Sequence, residues 1–294
     1  MPRREVHLVF NPMADRGRAE ARRRSISSFL ERQREIEPVW HVTRGPGHAH
    51  RIVEGLPEDV LVAAVGGDGT VHEVAAACIN TGRVMGVLPV GSGNCYVQAL
   101  GVGTNLERAL EILLRSKTRV VDAGEVNGVR FNDGLGIGFD AEVAALVADA
   151  PRYFGGFGRY LWSVLRLLPS FHCREVTLKL DDRDVVESKT ILVAVALGTT
   201  YGGRFKLAPA SRLDDGLFDV IWSEELGRAE SAKLIPAVLR GSHLKHPRIN
   251  FARAREVEIR FTEAAPAHVE GELLAPAHTF RARVLPEALQ VVGP

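Results

Sequence analysis

The sequence predicts an α/β fold in which an N-terminal doubly wound α/β domain is followed by a β-rich sandwich domain. Three observations support this prediction. Strand-like and helix-like segments alternate over the first third of the chain, and two of the strands end in glycine-rich turns. From about residue 118, short alternating strands with frequent turn signals replace the βα units.

The N-terminal pattern is that of repeated βα units. The predicted elements are strands at 6–10, 39–43, 60–65 and 83–89 and helices at 18–34, 49–56 and 71–78. In such units the strands are parallel and their carboxyl ends meet at one edge of the sheet. The turns at 66–70 and 91–94 are therefore expected at the same edge.

The second half of the chain has the pattern of an antiparallel sandwich. Asn127-Gly128 predicts a two-residue β-hairpin, and one helical block is expected at about 141–168. Further strands are expected at 174–180, 190–197, 217–222, 255–261 and 278–284, with helical pattern at 226–240. We therefore predict domains at 1–120 and 121–284, with the segment 285–294 packing back onto the first, and a ligand cleft between the domains.

Composition narrows the classes of protein that the chain can represent. A length of 294 residues suits two domains, and a net charge of +1 provides no global field for recruiting nucleic acid or an anionic membrane. The three widely spaced cysteines argue against a disulfide framework or a zinc site and favour a reducing, cytoplasmic location. The apolar runs are too short for a signal peptide or a membrane span, so any action on lipid is expected at the membrane surface.

The sequence Gly-Gly-Asp-Gly-Thr at 66–70 lies between a predicted strand and a predicted helix. Glycines there let backbone N–H groups approach an anion, and the helix start adds further N–H donors. Asp68 beside phosphates is expected to need a metal ion. The alternative is a plain βα turn in which Thr70 and Glu73 form a capping box.

Ordered short motifs span nearly the whole chain. They are Asn11-Pro12, residues 43–49, residues 66–70 with Glu73, Pro-Val-Gly-Ser-Gly-Asn at 89–94, residues 131–141 and residues 207–217, with an imperfect seventh at 269–272. In this combination the chain resembles the soluble bacterial lipid kinases of the diacylglycerol kinase catalytic-domain family, which also includes sphingosine and ceramide kinases. The resemblance implies a nucleotide-binding first domain, a lipid-binding second domain, and ATP- and Mg²⁺-dependent phosphorylation of a lipid hydroxyl, with diacylglycerol as the default substrate.

The resemblance also implies the residues of the site. Those expected to contact the nucleotide are Asn11, Thr43, Gly66, Gly67, Asp68, Gly69, Thr70, Glu73, Gly91, Ser92, Gly93 and Asn94. Asp68 is expected to bind or orient Mg²⁺ with its phosphates.

The family places an Asp-Gly-Glu near the C-terminus to accept the substrate proton, and this chain has Glu270-Gly271-Glu272. The extra methylene shifts the carboxylate oxygens by ~1.5 Å, and such a shift can lower catalysis by about a hundredfold. Glu270 is the expected base. Action by Glu272, or low or altered activity, remains open.

Two further segments each have two or more interpretations. The acidic loop at 214–217 resembles one that in some members holds a structural metal, here through Asp215 and Leu217, although Arg212 stands where an acidic side chain would help. A tight turn explains the loop equally well. The aromatic and leucine-rich segment 153–168 can line an acyl-chain pocket, form an apolar lip at the bilayer, or be a core helix.

Other functions remain as alternatives. The sequence Gly-Ser-Gly-Asn at 91–94 is more typical of the sphingosine and ceramide kinases, and the Gly-Gly-Asp-Gly turn is shared with NAD kinases. Glu270, together with Cys95 where many diacylglycerol-type members have Asp, leaves open a weakly active nucleotide-binding regulatory protein. A homodimer is also left open.

Overall fold

The structure is a computed structural model that describes residues 3–115, 117–151, 153–183 and 185–294, without the side chains of residues 16 and 17. The chain forms two compact units. One runs up to Val121 and includes Glu287–Pro294, and the other is Asp122–Pro286.

The N-terminal unit consists of alternating strands and helices. Its elements are β1 (Arg4–Phe10), α1 (Ala19–Leu30), β2 (Ile36–Val42), α2 (His48–Glu54), β3 (Leu61–Gly66), α3 (Asp68–Cys78), β4 (Val84–Pro89), α4 (Cys95–Ala99) and α5 (Leu106–Arg115). The strands are parallel in the order β4-β3-β1-β2. The predicted βα units are confirmed with bounds shifted by a few residues.

Register places the strand ends together. Phe10 at the end of β1 pairs with both Val42 of β2 and Val65 of β3, and Gly66 of β3 pairs with Pro89 of β4. The two glycine-rich turns that follow β3 and β4 therefore start side by side, which confirms the expectation of a common edge. Every residue of β3 is buried, as expected for a parallel strand between helix-covered neighbours.

The C-terminal unit is a β-sandwich domain with antiparallel pairing. Its strands are β5 (Thr118–Val126), β6 (Val129–Phe131), β7 (Gly134–Gly138), β8 (Arg174–Leu180), β9 (Val186–Thr190), β10 (Leu192–Ala196), β11 (Phe218–Ser223), β12 (Ile249–Ala254), β13 (Glu256–Val269) and β14 (Glu272–Val292). Its helices are α6 (Phe139–Leu146), α7 (Gly156–Leu167) and α8 (Arg228–Arg240). The strands run in the order β12-β11-β10-β7-β13-β14, and β8 pairs with β13 and β9.

The predicted hairpin at Asn127-Gly128 is confirmed. Val126 pairs with Val129, and both turn residues have positive φ, 47° and 85°, as a type I′ turn requires. The last residues of β14 belong to the N-terminal unit, where Gln290 and Val291 pair in parallel with Val84 and Met85 of β4.

The prediction of one helical block at 141–168 is wrong. The chain leaves α6 at Leu146 and begins α7 only at Gly156, because Pro151 and the glycines at 155 and 156 interrupt the helical pattern. The glycine-rich strand β7 was not predicted, since alternate glycines lack the apolar alternation of a typical strand. Among the described residues no helix is both long and apolar enough to span a bilayer.

Candidate active site

The carboxyl edge of the parallel sheet brings together side chains from three strand ends. Asn11 follows β1, and its Nδ2 donates to Thr70 Oγ1 at 3.0 Å, while its backbone N–H bonds to the carbonyl of Val65 at 3.0 Å. Thr43 follows β2, is buried, and donates its backbone N–H to the Phe10 carbonyl at 2.9 Å. Backbone hydrogen bonds thus fix Asn11 and Thr43 at the sheet edge, and the Asn11 side chain holds Thr70.

The two glycine-rich turns pack directly against each other. A Cβ on Gly91 would lie 2.4 Å from the Cα of Gly67, and a Cβ on Gly66 would lie 2.5 Å from Thr70 Oγ1. Gly91 is therefore required by the contact with the backbone of the other turn, and Gly66 by the approach of the Thr70 side chain within its own turn. The glycines also leave the backbone at positions 67 and 91 without side chains.

Asp68, the first residue of α3, connects the two turns. Its Oδ2 accepts the backbone N–H of Asn94 at 2.9 Å, and its Oδ1 accepts that of Cys95 at 2.8 Å. A Cβ on Gly93 would lie 2.3 Å from Oδ2, so Gly93 is required for this approach. Asp68 therefore braces the second turn from the start of α3.

Asn94 shapes the second turn. It has the left-handed conformation with φ 55°, and its Nδ2 donates to the Gly91 carbonyl at 2.7 Å. One N–H of the side chain is thereby used within the turn, and the second remains as a donor. Ser92 is exposed at the tip of this turn, and Gly69 lies in the first turn of α3.

Glu73 caps the start of α2, not the start of α3 as the capping-box alternative assumed. Its carboxylate accepts the N–H groups of Gly47 at 2.7 Å, Ala49 at 2.9 Å and His50 at 3.4 Å, and so caps the start of α2. Helix α3 starts after Gly67, with no side-chain cap. The Thr70–Glu73 capping box is therefore wrong, since Thr70 bonds Asn11 and Glu73 holds the segment that follows Thr43.

In the C-terminal unit, Glu270 and Gly271 form the two-residue turn between β13 and β14. Val269 pairs with Glu272, and the turn residues have φ 49° and 90°. Glu270 Oε1 accepts three backbone N–H groups, from Asn132 at 2.9 Å, Asp133 at 2.6 Å and Gly134 at 3.3 Å. These bonds compensate for the left-handed backbone, which is uncommon for Glu.

Glu272 lies in a different environment from Glu270. It is the first residue of β14 and is exposed. The carboxylate at position 270 is thus held by hydrogen bonds from backbone N–H groups, whereas the carboxylate at position 272 is exposed to solvent.

A buried polar chain adjoins this turn. His268 Nε2 lies 2.9 Å from Asp140 Oδ2, and the Tyr160 hydroxyl donates to Asp140 Oδ1. Burial raises the pKa of the Asp140 carboxyl, but the electrostatic interaction with His268 and the hydrogen bonds from His268 and Tyr160 lower it by more, so its pKa lies below the ordinary value. Asp140 is an ionised acceptor at neutral pH.

Asp140 and Tyr160 also line an apolar cavity of about 130 Å³. Its other walls come from α6, α7, α8 and the adjacent strands and include Phe139, Val164, Phe205, Leu234 and Val238. Of the segment 153–168, Tyr160, Val164 and Leu168 face this cavity. Tyr153 and Leu165 are 80% and 53% exposed.

The acidic loop expected to hold a metal has a different arrangement. Asp215 Oδ2 pairs with Arg253 at 3.3 Å, and its Oδ1 accepts the N–H of Leu217 at 3.2 Å. Arg253 also pairs with Asp219 at 3.0 Å, and Asp122 accepts the N–H of Gly216 at 2.7 Å.

A guanidinium therefore stands among these carboxylates where the prediction placed a cation. In the described part of the chain, no three His, Cys, Asp or Glu side chains form a group suited to a metal ion. Asp215 thus belongs to an ion-paired turn with Arg253, and the accessory metal site at Asp215 and Leu217 stays a prediction.

Comparison with known proteins places the chain in a family. The family model for the diacylglycerol kinase catalytic domain matches residues 5–126, and the model described as the YegS C-terminal NAD kinase beta sandwich-like domain matches residues 134–293, more than half of the chain. The fold and these matches define a kinase, a transferase of lipid metabolism. The chain belongs to the diacylglycerol kinase family of lipid kinases.

Relatives of similar length support this assignment. The chain is 29% identical over 276 residues to the diacylglycerol kinase of Bacillus subtilis, covering 92% of this chain and 90% of the relative. It is 27% identical over 276 residues to the diacylglycerol kinase of Staphylococcus carnosus, covering 92% and 89%.

Solved structures share the fold. A diacylglycerol kinase from Bacillus anthracis aligns with TM-score 0.74 at 20% identity, covering 100% of this chain and 98% of that one. An NAD kinase from Archaeoglobus fulgidus in complex with ATP aligns with TM-score 0.52 at 12% identity, covering 98% and 93%.

Sequence reasoning missed His268 and Arg253. A signal for His268 existed, since it is a single polar residue in the apolar end of β13, two positions before Glu270. Arg253 gave no such signal, because its partners lie more than thirty positions away and arginine on a strand is usually solvated.

Proposed function

We propose that this protein is an ATP- and Mg²⁺-dependent lipid kinase that transfers the γ-phosphate to a lipid hydroxyl, with diacylglycerol as substrate and phosphatidic acid as product. The observation that carries the proposal is the pair of glycine turns locked together by Asp68 beside the start of α3, in a member of a lipid-kinase family. Phosphoryl transfer depends mainly on positioning and charge neutralisation, which such an edge supplies.

The residues at this edge fit a triphosphate. The turn backbones at Gly67 and Gly91 carry no side chains, and α3 begins directly after Gly67 with its N–H donors and positive dipole end. Thr70, Ser92 and the second N–H of Asn94 supply side-chain donors. Asn11 and Thr43 border the same strand ends, and Glu73 acts indirectly by holding the segment after Thr43.

Asp68 fits Mg²⁺ as a single carboxylate ligand. Magnesium is commonly held by one or two carboxylates together with substrate phosphates and water, so a cluster of protein ligands is not needed. When bound, the ion neutralises charge on the phosphates. The N–H groups of Asn94 and Cys95 hold the Asp68 carboxylate in place for this role.

Glu270 is the proposed base. Three backbone N–H groups bind one of its carboxylate oxygens, so the Glu270 side chain is held in one conformation. Its role is to take the proton of the lipid hydroxyl as the new O–P bond forms. The longer side chain, which the sequence presented as a departure, has a defined place in this turn.

The lipid is proposed to bind through the C-terminal unit. The apolar cavity suits part of an acyl chain, and exposed Tyr153 and Leu165 suit contact with a bilayer surface. The protein is accordingly proposed to work as a peripheral protein at the cytoplasmic membrane surface.

Purified protein incubated with ATP, Mg²⁺ and mixed micelles tests the proposal. Diacylglycerol, sphingosine, ceramide and NAD are offered separately, and products are identified by mass spectrometry. We expect phosphatidic acid from diacylglycerol at the highest kcat/KM. A preference for sphingosine or ceramide would show that diacylglycerol is not the main substrate. Phosphorylation of NAD alone would contradict the proposal that the protein is a lipid kinase.

An Asp68 variant tests the proposed nucleotide site at the carboxyl edge of the parallel sheet, in the same assay. Asp68→Asn keeps an acceptor oxygen for one N–H but loses the charge, so we expect a higher Mg²⁺ requirement and a kcat lower by about a hundredfold. Asp59→Asn, at an exposed position of the same unit, is the control and should leave both unchanged. Unaltered Mg²⁺ dependence in Asp68→Asn would remove Asp68 from metal binding.

A further inference from the structure

The two ring nitrogens of His268 have separate partners. Nδ1 accepts the backbone N–H of Gly271 at 2.9 Å, and Nε2 lies 2.9 Å from Asp140 Oδ2. Because Nδ1 is the acceptor, the ring proton resides on Nε2 and is donated to Asp140. His268 therefore links a buried carboxylate to the backbone of the turn that carries Glu270.

That turn needs support from its surroundings. Glu270 has φ 49°, a conformation that Asn or Gly adopts far more readily, and Gly271 has φ 90°. Two kinds of contact hold the turn. The Glu270 side chain is bonded to the N–H groups of residues 132–134, and the Gly271 N–H is bonded to His268.

The His268 ring itself is tightly fixed. His268 is 4% exposed and Asp140 is 5% exposed. Gly136 leaves room for the pair, since a Cβ there would lie 2.2 Å from Asp140 Oδ2 and 2.5 Å from His268 Nε2. The Tyr160 hydroxyl holds the other Asp140 oxygen. Each neighbour thus limits the movement of the ring.

We propose that His268 is a positioning residue for Glu270, which it orients through the Gly271 N–H, and that Asp140 and Tyr160 fix the His268 ring from the wall of the apolar cavity. The proposal rests on the proposed function, in which Glu270 is the base. His268 does not touch the substrate in this role. It sets the backbone from which the carboxylate projects, so its loss lowers the rate of the chemical step and leaves ATP binding unaltered.

Two variants test the two hydrogen bonds of the His268 ring one at a time. His268→Asn retains an acceptor at the Nδ1 position for Gly271 and loses the Asp140 contact. His268→Gln retains a donor near the Nε2 position for Asp140 and loses the Gly271 acceptor. We expect His268→Gln to lower kcat about a hundredfold with the KM for ATP unchanged, and His268→Asn to retain the larger part of kcat. His7→Gln, at a buried histidine of the N-terminal unit, is the control and should retain kcat.

Amide hydrogen exchange supplies a readout that does not depend on activity. In His268→Gln we expect faster exchange at Gly271 and at residues 132–134, and in His268→Asn we expect exchange as in the wild type. Equal losses of kcat and melting temperature in both variants would show a scaffold role and overturn the proposal, as would unchanged kcat in both. If the wild type phosphorylates no lipid, the proposed function fails, and the exchange comparison alone then supports or overturns positioning.

Discussion

Gly91 approaches Gly67 so closely that any side chain at position 91 would collide with the neighbouring turn, its Cβ lying 2.4 Å from the Gly67 Cα. This contact joins the turns that follow β3 and β4, and Asp68 reinforces it by bonding the N–H groups of Asn94 and Cys95. Gly91 is therefore needed for the packing of the two turns, independently of any ligand.

Gly91→Ala should separate the two turns. Because the obstacle is backbone rather than a movable side chain, we expect a loss of about 1–3 kcal/mol in unfolding free energy and weaker ATP binding, measured by urea denaturation and calorimetric titration. Gly55→Ala is the matched control. Its Cβ would lie 3.5 Å from the Ile52 carbonyl, an ordinary contact, so its effect should be below ~0.5 kcal/mol. Unchanged ATP affinity in Gly91→Ala would contradict the proposed role of this edge.

Glu270→Gln should separate binding from chemistry. The amide oxygen can still accept the N–H groups of residues 132–134, so melting temperature and ATP affinity should persist. The charge that takes the substrate proton is lost, so kcat should fall by about 10²–10⁴-fold. Glu263→Gln, at an exposed site on β13, is the control. If Glu272→Gln abolishes turnover while Glu270→Gln does not, Glu272 is the base.

Arg253→Met should destabilise the acidic turn. Asp219 is 3% exposed at its side chain, and without its partner its charge is uncompensated. Because Arg253 is itself partly exposed, we expect a loss of about 2 kcal/mol at pH 7. Arg212→Met breaks an exposed pair with Asp214 and should cost less than ~0.5 kcal/mol.

The pH dependence of Arg253→Met has a definite sign. Burial raises the pKa of the Asp219 carboxyl, Arg253 lowers it and Asp215 raises it, with a net increase above 3.8. A raised folded-state pKa means that the folded state binds the proton more tightly, so ionisation costs stability as pH rises through that pKa. Removing Arg253 raises the pKa further. The deficit measured by urea denaturation should therefore shrink between pH 7 and pH 4.5, and a constant deficit would contradict this account.

Tyr153→Ser with Leu165→Ser should weaken binding to bilayers. Both side chains are exposed, and removing each apolar contact should lower partitioning into anionic phospholipid vesicles by about tenfold. Activity on a short-chain diacylglycerol below its micellar concentration should be retained. Phe251→Ser removes an exposed aromatic ring of β12 and serves as control. Equal losses on vesicles and on the dispersed substrate would favour a structural role for the pair.

The local pattern of the chain was sufficient for the N-terminal unit. Alternating apolar runs and helical stripes predicted each βα unit, and the parallel arrangement followed from those units, because parallel strands need helical crossovers. The common edge of the two glycine turns followed as well. In the C-terminal unit the Asn127-Gly128 hairpin was predictable because its turn chemistry is local. The break between α6 and α7 and the glycine-rich β7 were not predicted.

The order of the elements, the family and the candidate residues at the strand ends could be predicted without coordinates, because they depend on short-range periodicity and on motif order. The contacts of those residues became known only from the folded chain. Asp68 braces the opposite turn, Glu73 caps α2, and Arg253 occupies the acidic loop, each through partners more than twenty positions away. Hydrogen bonds and ion pairs of this kind depend on distances that only the folded chain fixes, so no spacing along the sequence could have assigned them.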